Sequence, residues 1–173
     1  MRSDSLISAL QATLRQDSDL LAALTPEQYR RSPSGHFKSS VGMHLRHSLD
    51  HFGAFFDGLL LRRIDYESRQ SDTDIEQQPE VALRAIRAYI DQLEALRSEP
   101  GVELEVREEN DSKSTELVWL PSSMARELQF LLGHTVHHNA LIAMVVDGLG
   151  VPIPADFGVA PSTLRYETRG ADF

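Results

Sequence analysis

The chain has 173 residues, 41% hydrophobic and 25% charged, which is enough for one domain with a sizeable core. A formal charge of −9 argues against a broad phosphate-binding face and so against nucleic acid, and the lack of cysteine excludes disulfides, thiolate metal sites and a cysteine nucleophile. No apolar run reaches the roughly 18 residues of a membrane span, and "MRSDSLISALQATLRQDSD" lacks the apolar core of a signal peptide, so the expectation is a cytoplasmic protein away from membranes.

Leu6, Ala9, Leu10, Ala12, Leu14, Leu20 and Leu21 predict a first long helix over about 4–24. Thr25, Pro26 and Gln28 form a capping box that opens a short helical turn, and "RRSPSGHFKS" reads as a loop. From Ser40 to about Arg63 a second long helix follows, with Val41, Leu45, Leu49, Phe52, Phe56, Leu59 and Leu60 on its apolar face. The polar connection "DYESRQSDTDIEQQ" leads to a third long helix, from Pro79 to about Arg97, which Pro100 and Gly101 stop.

There the period changes from helical to alternating. In "VELEVRE", Val102, Leu104 and Val106 alternate with glutamates as in a half-buried strand, and "TELVWL" offers a hairpin partner. Pro121, Ser122 and Ser123 open a fourth long helix that ends near Gly148 or Gly150. The remainder, rich in proline and without helical period, reads as an irregular tail on the surface. The predicted fold is mainly α: a single domain over 1–173 with a four-helix bundle, a small β-hairpin before the last helix, and a tail over 151–173.

Six of the seven histidines fall in two windows, "VGMHLRHSLDHF" and "LGHTVHHNALIAM". An α-helix advances about 100° per residue, so His44, His47 and His51 share a stripe of the second long helix. On the fourth, His134 and His138 lie one turn apart and can converge on one ion, with His137 the rival for the second place. Both windows are otherwise apolar, and burying several imidazoles without partners costs on the order of 1 kcal/mol or more each. A shared divalent ion removes that cost, because neutral imidazole ligates zinc, nickel, iron and copper. Three protein ligands and an open water position would be the pattern of a catalytic zinc site.

Other histidine chemistries fail on the residues. Thr135 stands where an H-E-x-x-H protease has its glutamate; E-x-x-H pairs, the order His-Asp and G-x-S-x-G are all absent.

"GMHLRHSLDHF" on the second long helix and "HTVHHNALI" on the fourth resemble the DinB/YfiT-like superfamily of proteins associated with metal-dependent enzymes. The resemblance covers about residues 4–150, and "FGVAPSTLRY" in the tail is similar to one branch of it. It implies an up-down-down-up bundle, a tendency to form homodimers, and a metal held by one histidine of the second helix and an H-x-x-x-H pair of the last. Carried over, the pair is His134 and His138, and the single ligand is His47, followed three positions on by Asp50; His44 is its rival. Asn139, Ala140 and Leu141 depart from the Gly-Gln that follows the pair in many members, so the fold carries over better than the reaction.

The resulting expectation is an enzyme with one divalent ion, zinc or nickel, on His47, His134 and His138. Hydrolysis or thiol transfer of a small-molecule substrate would follow. His44, His51 and His137 would stand behind the ligands or relay protons. Glu127, Asp50 and His137 are the candidates for a catalytic group: Glu127 as base, Asp50 as the acceptor that orients an imidazole. Trp119 is expected to pack over the bundle, Arg46 to face outward, Tyr66, Arg165 and Tyr166 to have no favoured role, and His36 to be exposed. The competing expectation is a non-catalytic binding or dimerisation module whose metal is structural or absent.

Overall fold

The apolar stripes at Leu6, Ser40, Pro79 and Ser123 each become a helix in the computed structural model, which describes residues 2–33, 38–67, 73–98, 101–107 and 118–170. Helix α1 spans Arg2–Ala23 and buries Ile7, Leu10, Leu14 and Leu21. The short α2, Pro26–Arg30, starts on the expected capping box: Gln28 N–H donates to the Thr25 hydroxyl, and Thr25 N–H to the Gln28 side chain. Helix α3, Val41–Leu61, is capped by Ser40, whose hydroxyl accepts from Met43 N–H. It ends where Arg62 turns left-handed at φ 55° and sends the chain back into β1, Arg63–Asp65. Gly58 makes that reversal feasible, since a Cβ there would lie 2.6 Å from the Arg63 carbonyl oxygen.

Helix α4, Thr73–Gln77, precedes α5, Pro79–Ala95, and one 3-10 turn, Leu96–Ser98. Strands β2, Glu103–Arg107, and β3, Leu120–Ser123, lead into α6, Met124–Asp147. Helix α7, Pro161–Gly170, lies near the C-terminus. Helix α6 packs on α1 and α3, and α5 packs on the same two, so these four long helices enclose the core. Phe52, Phe55, Leu49, Leu128 and Leu131 are fully or almost fully buried in it; each such side chain contributes about 1.5–3 kcal/mol relative to exposure.

Four local features differ from the sequence reading. The antiparallel partner of β2 is shifted toward α6, pairing Val106 with Leu120 and Glu103 with Ser123; residues 115–117 of the expected strand lie outside the described residues. Pro121 is tolerated there because β3 is an edge strand, where a missing N–H breaks no inner ladder. Strand β1 joins the sheet in parallel with β2, with Ile64 opposite Val106, and three residues are too few for a periodic signal. Helix α4 fills part of the polar connection, held where the Tyr29 hydroxyl donates to the Ile75 carbonyl at 2.5 Å. The tail is irregular over 151–160 but ends in α7, whose polar composition concealed it.

Gly158 seats this tail. Its φ is +71°, and a Cβ would stand 2.6 Å from the Ala140 backbone nitrogen, so the chain touches α6 backbone to backbone. Along the seam between α1 and α6, Asp17 and Asn139 are both buried. Among the described residues, no helix is long and apolar enough to cross a membrane.

Candidate metal centre

The facing stripes of α3 and α6 bring five imidazoles into one row. His44, His47 and His51 come from α3, and His134 and His138 from α6. Ring centroids lie 3.9 Å apart for His51 and His134, 5.1 Å for His47 and His134, 4.6 Å for His134 and His138, and 4.8 Å for His47 and His138. His44 adjoins the far end, its Nδ1 3.2 Å from Nδ1 of His138. His137 is exposed, with its ring 5.2 Å from that of His138.

Among the described residues, the group able to hold an ion is His47, His51 and His134, whose ligand atoms all lie within 4.8 Å of one another. His138 stands beside this group. His51, assigned from sequence to a place behind the ligands, is within it, because it lies one turn from His47 on the same stripe.

Two observations favour an ion at this group. The Nδ1 of His51 donates to the His47 carbonyl oxygen at 2.9 Å, which fixes the tautomer and leaves Nε2 with its lone pair. Among the described residues the buried Nδ1 of His134 has no hydrogen-bond partner, an arrangement that is costly unless something binds it. Burial first, and then the neighbouring imidazoles, push the pKa of His134 down to about 2 and that of His138 to about 3. Burial, with His137, also lowers His44. These rings are therefore neutral at physiological pH, the form that ligates metal. The residues present fit a divalent ion.

Aromatic rings wall one side. Phe130 lies 5.7 Å from His134 and 5.9 Å from His51, while Tyr66 stacks on His51 at 5.4 Å. Phe130 precedes His134 by one turn, so helical spacing alone could have found it. Tyr66 reaches the site across the fold, and no local pattern announces it.

The other candidates are held by hydrogen bonds. Glu127 is fully buried and accepts from the Tyr66 hydroxyl at 3.0 Å, from the Ser122 hydroxyl, and from Arg126 Nη1 at 3.0 Å. The carboxylate thus ties the start of α6 to Tyr66. Asp50 is buried and paired with Arg46 at 2.9 Å, and the same guanidinium meets Glu76 at 3.0 Å. Arg46, expected to face outward, is half-buried between α3 and α4. Trp119, expected over the bundle, lies under the guanidiniums of Arg63 at 4.6 Å and Arg107 at 5.8 Å, beside the sheet. Tyr166 is exposed, as is Arg165, and His36 lies outside the described residues.

Comparison with known proteins adds one short likeness. FK506-binding protein 5 of Rhizopus delemar is 38% identical over 56 residues, 32% of this chain and 14% of that protein, so the chain spans only a small part of its length. No solved structure matches the chain. The family profile described as "DinB family" matches residues 2–167, running through all four bundle helices and both histidine windows, and the chain belongs to that family.

Proposed function

We propose that the protein is a metal-dependent enzyme with one divalent ion, zinc or nickel, on His47, His51 and His134. The observation that carries this reading is the convergence of His47, His51 and His134, together with a buried Nδ1 of His134 that has no hydrogen-bond partner among the described residues. When bound, such an ion supplies Lewis acidity that draws the pKa of a water or a thiol toward neutrality.

The protein's own groups have definite tasks. The bond of His51 Nδ1 to the His47 carbonyl orients the ring and presents Nε2 as its ligand atom. Tyr66 and Phe130 exclude water from one side and leave an apolar wall for the body of a small substrate. Exposed His137, next to buried His138, is suited to pass protons between the cluster and solvent. His138 with His134 and His47 is the alternative ligand set, and its rings are close enough to exchange with His51 through side-chain rotation. Hydrolysis and thiol transfer both suit this chemistry.

The test is the metal content of protein purified without a histidine tag. Wild type is expected to carry about one equivalent of ion per chain, and a His47→Ala, His134→Ala double variant almost none. Equal, near-zero content in both would sink the reading and favour a non-catalytic binding or dimerisation module. Metal-loaded protein would then be screened against ester and thiol substrates.

A further inference from the structure

The guanidinium of Arg126 has no part in the histidine row, yet it is built into the wall beside it. Arg126, Phe130 and His134 occupy an i, i+4, i+8 row on α6, so each lies one turn from the next. Cζ of Arg126 is 5.3 Å from the centroid of the Phe130 ring, and that ring stacks on His134 at 5.7 Å with 24° between the planes. A cation at this distance from an aromatic centroid is attracted by the ring.

A hydrogen-bond network holds the same guanidinium. Its Nη1 donates to both oxygens of Glu127, at 3.0 and 3.2 Å, and that fully buried carboxylate is itself tied to Tyr66 and Ser122. The head of the side chain is thus fixed although 55% of the side chain is exposed. A guanidinium carries five N–H donors. Among the described residues, Nε and Nη2 of Arg126 meet no acceptor, so the ion pair with Glu127 leaves most of the donor capacity unused. Seven positions after Arg126, on the same line of the helix, Gly133 is exposed, and a Cβ there would meet nothing within 4 Å. The face of α6 beside Phe130 and His134 is therefore open.

We infer that Arg126 is a substrate anchor, and that the substrate is a small molecule carrying a carboxylate a few bonds from its reacting group. This rests on the metal centre proposed above. The planar fork of arginine matches a carboxylate with two parallel hydrogen bonds, and an arginine already held in place loses little freedom on making them. Eight residues of helix set the Cα atoms of Arg126 and His134 about 12 Å apart. Both side chains lean on Phe130 between them, so the span suits a short chain and not a polymer. The aromatic wall then supports the apolar spacer, while the imidazoles face the reacting end.

The test uses the full chain loaded with Co²⁺ and hydroxamic acids as metal-seeking probes, with binding read from the visible absorption of the ion. The monohydroxamates of glutarate and adipate are compared with methyl-ended hydroxamates of the same chain length. Wild type is expected to bind at least one carboxylate-ended probe about tenfold or more tightly than its methyl-ended counterpart. Arg126→Gln should lose that preference while its Co²⁺ content and its affinity for the methyl-ended probes stay unchanged. A merely structural role would weaken both kinds of probe together. Arg126→Lys keeps a cation beside Glu127 but lacks the fork, and should retain only a small part of the preference. Equal binding of the two kinds by Co²⁺-loaded wild type, or binding of neither, would overturn the anchor and leave the metal centre standing. A preference undiminished in either variant would do the same, and a wild type that takes up no Co²⁺ would overturn both.

Discussion

Nδ1 of His51 lies 2.9 Å from the carbonyl oxygen of His47, one turn earlier on α3, and the bond commits that nitrogen to donating. The ligand atom of this tautomer is then Nε2. Proton–nitrogen correlation NMR of the apoprotein near pH 7.5 should show His51 as the Nδ1–H tautomer. His51→Ala should weaken metal binding by more than the roughly 10–100-fold that losing an outer hydrogen-bond partner costs. A His51 resonance of the Nε2–H type would contradict this assignment.

The neutral histidines make the apoprotein acid-sensitive. Folded pKa values of about 2 for His134 and about 3 for His138 lie below the ordinary histidine value of about 6.5. Between those limits the unfolded chain binds protons that the native state does not, so stability falls as pH drops below about 6.5. Urea midpoints of apoprotein should decline from pH 7 to pH 4. Replacement of His134 by Phe should flatten that decline, and an unchanged slope would remove His134 as a cause.

Asp17 acts with the opposite sign. It is completely enclosed, and burial raises its pKa to about 8 against a weaker opposing hydrogen bond from Asn139. Among the described residues no partner satisfies either carboxylate oxygen at normal hydrogen-bond distance, so the protonated acid is the form the fold accepts. The linked stability is complete below the ordinary carboxyl value near 4 and is lost as pH rises through about 8. Asp17→Asn, neutral at every pH, should raise the denaturation midpoint at pH 8.5 and change it little at pH 4.5. The gain at the higher pH is expected on the order of 1–3 kcal/mol.

Glu127 is the anchor of the polar network beside the aromatic wall. Glu127→Ala leaves the hydroxyls of Tyr66 and Ser122 without their acceptor and should cost on the order of 2–4 kcal/mol by urea denaturation. Tyr66→Phe removes the bond to Glu127 and keeps the carboxylate, with an expected cost of about 1 kcal/mol. Metal stoichiometry should be unchanged in Tyr66→Phe. A loss of bound ion in that variant would mean that Tyr66 does more than fix the wall.

Backbone proximity at the tail gives a fifth expectation. Gly158→Ala must accommodate a Cβ 2.6 Å from a backbone nitrogen and a left-handed φ of +71°. The residues against which it presses, Asn139 and Ala140, directly follow His138. Thermal unfolding should show a loss of roughly 1–3 kcal/mol, and metal affinity should fall with it if α6 shifts.

The helices were legible because their cues are local. Seven-residue and four-residue spacings exposed the His44–His47–His51 stripe, and Thr25, Ser40 and Ser123 announced where helices begin. The bonds that select among the histidines are not local. Nothing within α3 reveals that His51 meets His134 at 3.9 Å, since this depends on how two helices are rotated about their axes. Tyr66 and Glu127 are 61 residues apart in the chain, and their pairing follows from the turn at Arg62 that carries β1 back along α3. Short polar elements such as α4 and α7 gave no stripe to detect, because they bury too little.

The direct passage from β3 to α6 has a further consequence. Strand β3 ends at Ser123 and α6 begins at Met124, so no loop separates sheet register from helix phase. One residue inserted or deleted between Pro121 and Met124 would turn α6 by about 100° if the strand pairing held. That rotation would carry His134 and His138 away from α3 together, while leaving every side chain of the row chemically intact. Variation in length at this junction is therefore forbidden in a way that substitution is not, and the three-stranded sheet serves as the angular reference for the imidazoles.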